Sequence, residues 1–323
     1  MTTIPMRRAR ILVNPSARSG RGARALAPIL RLGELVDGVR IEWQYSRSAA
    51  HFTELVQMAQ QEREELYALG IAGGDGSVML AAAALSELGT AQRVPLGILP
   101  TGSGNDFAHA LGLNGGLSAA FQTILHGIPR AVDLGEITPG GQRFCCVASV
   151  GLDELALRRI HSSIFPRSMA LNIYAALRAL IDYQPRAIDV RWEGGHYSGE
   201  VMFCAVTNTR SYGGGFCVSP SARIDDGSLN LCIVPAMPKA HLLAQFPRIL
   251  RGTHGELPGI ILIQSPWIEL TAVPGSLGGS SPMPLCIDGE PPSGALPIRL
   301  RCLPGAILMI SERAAVPGPT EVA

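Results

Sequence analysis

Gly73-Gly74-Asp75-Gly76-Ser77 and, 23 residues further on, Pro100-Thr101-Gly102-Ser103-Gly104-Asn105-Asp106-Phe107 each leave an apolar run and enter a helical pattern. Glycine permits positive φ and a close approach of backbone to ligand. A helix start leaves outward N–H groups that favour anions. Two such turns in one α/β unit can cradle a polyphosphate, so the chain reads as one that handles a nucleotide. Asp75 could hold Mg²⁺, directly or through water, or accept a proton. Ser77 could donate to a phosphate or cap the helix that follows. Asn105 and Asp106 add a polar pair that a plain turn does not require, although Asp106 would equally cap a helix beginning at Phe107. Asn14-Pro15-Ser16, followed by Ser19-Gly20-Arg21-Gly22, is a third polar turn after a strand. The single lysine, Lys239, is far from these turns. A Walker A loop and a protein-kinase strand lysine are therefore absent. Backbone N–H groups, hydroxyls, arginines and a metal must hold the phosphates instead.

Far downstream, Cys286-Ile287-Asp288-Gly289-Glu290 sets two carboxylates around a glycine. A kinase acting on an alcohol needs a carboxylate that orients the hydroxyl and takes its proton, and Asp288 and Glu290 suit that need. An exposed Asp-Gly turn is the competing reading. Arg223-Ile224-Asp225-Asp226-Gly227-Ser228 could bind a hard cation through a carboxylate and carbonyls, or be a plain hairpin turn. The seven histidines show no metal-ligand spacing, and the seven cysteines include no C-x-x-C pair. The cysteines read as buried thiols of a reducing compartment, which points to the cytoplasm.

These residues need elements to position them. Up to Arg130 the chain alternates: strand Arg10–Val13, helix Ala23–Leu35, strand Val39–Tyr45, helix Ala49–Glu64, strand Glu65–Ile71, helix Val78–Leu88, strand Val94–Leu99, and a helix opening at Phe107. This order implies a parallel sheet covered on both faces, a three-layer α/β domain whose glycine turns lie beyond the carboxyl ends of the strands. After Arg130, alternating β-rich segments appear at Gln142–Val150, Ala187–Trp192, Gly199–Thr207, Ser228–Val234, Trp267–Val273, Leu296–Cys302 and Ala306–Ile310. Gly194-Gly195 marks a hairpin, and helices are expected at Arg167–Tyr183 and Lys239–Arg251. The expected fold is an α/β domain over 5–132, a mostly antiparallel β-sandwich over 133–313, a cleft between them and a disordered tail over 314–323. The 323-residue length suits two domains. A formal charge of +1 argues against a nucleic-acid binder. No apolar run reaches the ~18 residues of a membrane span.

In their order and spacing the motifs resemble the bacterial diacylglycerol kinase-type lipid kinases, whose catalytic fold is shared with sphingosine and ceramide kinases. Asn14-Pro15-Ser16, the two glycine turns, Gly151-Leu152-Asp153, Tyr212-Gly-Gly-Gly215, Asp225-Asp-Gly227 and Asp288-Gly-Glu290 carry the resemblance over nearly the whole chain. It implies ATP-dependent, Mg²⁺-dependent phosphorylation of a lipid hydroxyl, with peripheral contact at a membrane and a homodimer left open. ATP contacts would fall on Asn14, Ser46, Gly73, Gly74, Asp75, Gly76, Ser77, Val78, Met79 and Ser103, beside Gly102, Asn105 and Asp106 of the second turn. Glu290 would be the base, with Asp288 beside it and Asp75 as rival. A structural Mg²⁺ would take the carbonyls of Arg223 and Ser228 and the Asp226 carboxylate. Ser46, Ser77 and Ser103 stand where the family usually has threonine, which keeps the hydroxyl and drops a methyl. The segment Arg158 to Arg178, with Ile164, Phe165 and Met169 between arginines, is the candidate membrane surface. The rival readings are a kinase of NAD or a sugar phosphate, and a non-catalytic nucleotide or lipid binder.

Overall fold

Apolar runs bounded by glycine turns become the strands of the N-terminal part of the chain. The computed structural model describes residues 7–18, 20–87, 93–165, 167–273 and 283–312. Ser19, Leu88 and the expected tail lie outside the described residues. Contacts group the chain up to Val132 with the stretch from Gly305, and Asp133–Pro304 into a second unit.

In the first unit, β1 (Arg7–Val13) leads to two short helices, α1 (Arg21–Ala25) and α2 (Ala27–Leu30). One helix was expected there. Pro28, which has no N–H to donate, is accommodated in the first turn of a new helix and divides the segment. The chain continues through β2 (Leu35–Val36), β3 (Val39–Tyr45), α3 (Ala49–Gln61), β4 (Leu66–Gly73), α4 (Asp75–Ser86), β5 (Leu96–Pro100), α5 (Asp106–Ala110) and α6 (Gly116–His126). β1 lies parallel between β3 and β4, and β5 extends the sheet in parallel beyond β4. The core is built on Ile11, Val13, Ile41, Phe121, Ile124 and Ile310. The chain steps from β1 to β3 and then back past β1 to β4, so the winding reverses between β1 and β4. In open α/β sheets, ligands bind beyond the carboxyl ends of the strands at such a reversal. Asn14 follows β1 there, and Gly74 follows β4.

The second unit contains most of β6 (Ile128–Thr138), then β7 (Gln142–Phe144), β8 (Val147–Gly151), α7 (Leu152–Ser162), α8 (Met169–Asp182), β9 (Arg186–Trp192) and β10 (Gly195–Thr207). It continues with β11 (Leu229–Pro235), α9 (Lys239–Arg251), β12 (Ile261–Ser265), β13 (Trp267–Ala272), β14 (Pro284–Ile287), β15 (Glu290–Ala295) and the first part of β16 (Ile298–Ser311). Its registered pairings are antiparallel. β10 pairs β9 along Gly195–Val201, and further on it has β8 on one side and β11 on the other. From Val201 to Thr207 every residue of β10 is buried, as a strand covered on both faces must be. Val150, Val190, Val206, Leu231, Ile268 and Leu300 are among the residues of this core. The two expected strands at 296–302 and 306–310 are one strand, β16. Its end joins β5 in parallel, with Met309 opposite Leu96.

Candidate active site

The glycine turns of the first unit are packed against each other, backbone to backbone. A Cβ built on Gly102 would lie 2.4 Å from the Gly74 Cα, and one on Gly73 would lie 2.5 Å from the Ser77 side chain. Only glycine lets the turns meet. α4 starts after Gly74 with no side-chain cap; the Ser77 N–H turns back to the Gly74 carbonyl at 2.9 Å, and the N–H groups ahead of it are left available to an anion. The Asn14 Nδ2 donates to the Ser77 Oγ at 2.9 Å and ties the turn after β1 to the turn after β4. The Asn14 Oδ1 accepts the Ser16 N–H at 3.0 Å. Within the second turn, the Asn105 side chain bonds both the N–H and the carbonyl of Gly102.

Asp75 has a partner that the sequence did not suggest. Its Oδ1 accepts the Phe107 N–H at 3.1 Å, so the first turn caps the helix of the second. Asn105 occupies the N-cap position of α5 in the left-handed region, at φ 59°, and makes no capping bond. Asp106 is buried. Ser46 is also buried, and its hydroxyl donates to the Val13 carbonyl at 3.3 Å. The Val78 side chain belongs to the core. A ligand at this edge would therefore meet Val78 through backbone, and meet Gly76 and Ser103 as exposed residues.

In the second unit, Asp288-Gly289 is the two-residue turn joining β14 to β15, with φ of 47° and 75°. Asp-Gly with both φ positive is the favoured hairpin chemistry. Asp288 is more than a turn residue. Its Oδ2 accepts the Cys145 N–H at 2.8 Å, and its Oδ1 accepts those of Cys146 and Val147 at 2.8 and 2.9 Å. Such a carboxylate is held by its donors and fixes the hairpin to β8. Glu290 is half-exposed, with the Arg167 NH1 and the His161 Nε2 each 4.0 Å from its carboxylate. His161 also places Nε2 3.3 Å from the Gly289 carbonyl.

A second polar group was missed as chemistry, although Gly151, Asp153 and Tyr212 carry the resemblance. Gly151 has φ 112°, and a Cβ there would lie 2.6 Å from the Met202 carbonyl oxygen. Glycine is thus required where β8 turns directly into α7. That turn places Asp153 so that its Oδ2 accepts from the Ser149 hydroxyl at 2.6 Å and the Tyr212 hydroxyl at 3.2 Å. Burial pushes the Asp153 pKa up, and the two hydroxyls oppose that shift. The acidic turn at 223–228 is more self-contained. The Asp226 carboxylate accepts from the Ser228 N–H and the Gln264 amide, and Asp133 accepts the Gly227 N–H at 2.7 Å. Burial raises the Asp226 pKa, and the charges of Asp133 and Asp225 add to the rise. A hard cation here would offset that negative charge, although among the described residues no group of three or more His, Cys, Asp or Glu side chains is arranged to hold a metal ion.

Among the described residues no helix is long and apolar enough to cross a membrane. Residues 8–137 match the diacylglycerol kinase catalytic domain, and residues 146–311 match the YegS C-terminal NAD kinase beta sandwich-like domain. A diacylglycerol kinase of Bacillus subtilis is 30% identical over 292 residues, covering 88% of this chain and 90% of that protein. A diacylglycerol kinase of Mycobacterium tuberculosis is 31% identical over 253 residues, covering 76% and 79%. The crystal structure of a Bacillus anthracis diacylglycerol kinase superposes with a TM-score of 0.66 at 19% identity, covering 98% of this chain and 100% of that one. With family models matching both halves, and with packed glycine turns that suit phosphate in place of a lysine loop, the chain belongs to the diacylglycerol kinase and YegS-type family of lipid kinases, which phosphorylate an alcohol group.

Proposed function

We propose that the protein transfers the γ-phosphoryl group of ATP to a hydroxyl of a diacylglycerol-like or sphingoid lipid, reached by peripheral contact at a bilayer, with Mg²⁺ and with Glu290 as the proton acceptor. The observation that carries this reading is the backbone contact of Gly74 with Gly102 at the uncapped start of α4. It offers N–H groups, not a lysine, to phosphate oxygens. The relatives named diacylglycerol kinase support the choice of acceptor class.

The two carboxylates of the late turn divide the work. Asp288 spends its oxygens on three backbone N–H groups and holds the hairpin. Glu290, half-exposed and among the described residues with its charged neighbours no nearer than 4.0 Å, is the group able to meet a hydroxyl. In a loose phosphoryl-transfer transition state the proton leaves late, so the base chiefly orients the hydroxyl. Asp75 fits a different role. One oxygen caps α5, which leaves the other for a nucleotide-bound Mg²⁺, where one carboxylate suffices. When bound, that ion would offset phosphate charge. The cation suited to the 223–228 turn, held by Asp226 and by the Arg223 and Ser228 carbonyls, would be structural.

The test is transfer of γ-³²P from ATP to a panel of lipids in mixed micelles, with and without Mg²⁺, comparing wild type with Glu290→Gln. Labelled lipid that requires Mg²⁺ and is lost in the variant is the expected result. Failure to label any lipid hydroxyl would overturn the reading.

A further inference from the structure

Asn14 is tied into the first unit through backbone and side chain alike. Its N–H donates to the Ala72 carbonyl at 2.9 Å, and its carbonyl accepts the Ala17 N–H at 3.2 Å. In the side chain, Oδ1 accepts the Ser16 N–H at 3.0 Å. A backbone N–H only donates, so this bond fixes which end of the amide is oxygen. The end that meets the Ser77 Oγ at 2.9 Å is therefore Nδ2, and it donates.

That donation decides where the Ser77 hydroxyl proton goes. One lone pair of Oγ is taken by Asn14, so the proton must point elsewhere. Among the described residues it meets no acceptor. The hydrogen bonds of Ser77 are the one received from Asn14 and the one from its own N–H to the Gly74 carbonyl. Ser77 is only 5% exposed, and a buried donor left without an acceptor is costly. Its Oγ is held against Gly73, where a built Cβ would come within 2.5 Å of it. Gly73 ends β4 and Ser77 is in the first turn of α4. The uncommitted proton thus lies at the same helix start whose N–H groups suit an anion. A phosphate oxygen arriving there would give the hydroxyl a charged acceptor, the stronger kind of partner.

We propose that Asn14 is a positioning residue for the nucleotide: by donating to the Ser77 oxygen it turns the Ser77 proton toward a phosphate oxygen, and it makes no phosphate contact of its own. Two residues expected as parallel ATP contacts then act in series, Ser77 on the phosphate and Asn14 behind it. The inference rests on the reading of the glycine-turn edge as the nucleotide site. A direct contact by Asn14 would use the second Nδ2 hydrogen, and it predicts a different response to mutation. Residues that act in series lose their effects together, whereas independent contacts add. Asn14→Asp reverses the polarity. It keeps an oxygen for the Ser16 N–H and places a second oxygen where the donor was, so Ser77 would donate backward and turn its lone pairs to the phosphate.

The experiment measures ATP affinity of the full chain by calorimetry with Mg²⁺, beside the KM for ATP and for lipid in mixed micelles and the urea midpoint of each variant. Ser77→Ala should weaken ATP by about tenfold or more, the scale of one hydrogen bond to a charged group, and Ser77→Thr should recover most of that. Asn14→Ala should weaken ATP by about threefold to tenfold in the wild-type background and by less than about twofold in Ser77→Ala. Asn14→Asp should weaken ATP further. The part due to charge repulsion should persist in Ser77→Ala, and the part due to reversed polarity, about tenfold, should vanish there. The KM for ATP should follow these changes while the KM for lipid stays, which a general loosening of the fold would not produce. Wild-type affinity in Ser77→Ala would overturn the proposal. Equal losses from Asn14→Ala in both backgrounds would overturn it too, and would make Asn14 a direct contact. Absence of ATP binding by the wild type would instead remove the nucleotide reading on which the inference rests.

Discussion

Asp75 and Phe107 join the two glycine turns: the carboxylate after β4 caps the helix after β5, with Oδ1 3.1 Å from the amide nitrogen. The residue that sequence offers as base or metal ligand is therefore also the brace of the phosphate edge. Replacement tests the two roles separately. Asp75→Asn keeps an acceptor oxygen, so stability should change little while phosphoryl transfer falls. Asp75→Ala removes the cap and should lose about 1 kcal/mol as well. Urea denaturation beside the transfer assay separates these outcomes. Equal stability of the two variants would show that the cap contributes nothing.

The contact of Gly74 with Gly102 predicts a backbone defect without any loss of chemistry-bearing groups. Gly102→Ala would bring a methyl to 2.4 Å from the Gly74 Cα and 2.7 Å from the Asn105 Oδ1. The turns must separate, at about 1–3 kcal/mol for forced overpacking. ATP binding measured by calorimetry should weaken even though Asp75, Asn105 and Asp106 all remain. Unchanged affinity and stability would mean that the turns have slack which the structure does not show.

Much of this arrangement was legible in the sequence, for physical reasons. Buried parallel strands are near-continuous apolar runs, so β1, β3, β4 and β5 stood out between their turns. α7 was not foreseen, because it starts directly at Gly151 with no loop and no polar cap. The apolar strand ahead of Asp288 is β14, but β15 was not named as a strand, since Pro291 and Pro292 argue against a ladder. Prolines are tolerated there because β15 is the terminal strand of its sheet. Pro304-Gly305 read as a break, yet β16 runs straight through it and passes from the second unit to the first. The partners of Asp75 and Asp288 could not be read at all. They lie 32 and 141–143 residues away.

That distance in sequence separates the late carboxylates in a testable way. Asp288→Ala leaves the Cys145, Cys146 and Val147 N–H groups without their acceptor, and should cost about 3 kcal/mol or more, since bonds to a charged acceptor are the stronger kind. Glu290→Gln touches only an exposed side chain, so its unfolding midpoint should match wild type while kcat falls by about 10²-fold or more. A stable but inactive Asp288→Ala would reverse the two roles.

Asp153 should leave a mark on the pH dependence of stability. Burial raises its pKa above the ordinary carboxyl value, against the pull of the Ser149 and Tyr212 hydroxyls. Cys286 and Tyr212, themselves pushed up by burial and by the Asp153 charge, offer it no countercharge. Glu154, on the same helix, adds negative charge to this surrounding and is itself paired with Arg158. A raised folded-state pKa means that the native protein holds the proton more tightly than the unfolded chain. Ionisation therefore lowers stability, by nothing below the unfolded pKa near ~4 and by its full amount once the pH exceeds the folded pKa. Asp153→Asn keeps an oxygen for both hydroxyls and never ionises. Relative to wild type, its unfolding free energy should rise as the pH goes from acid toward neutral, measured by urea denaturation at each pH. A difference that stays flat across that range would place Asp153 at its ordinary pKa, and its carboxylate would then be solvated as well in the folded protein as in the unfolded chain.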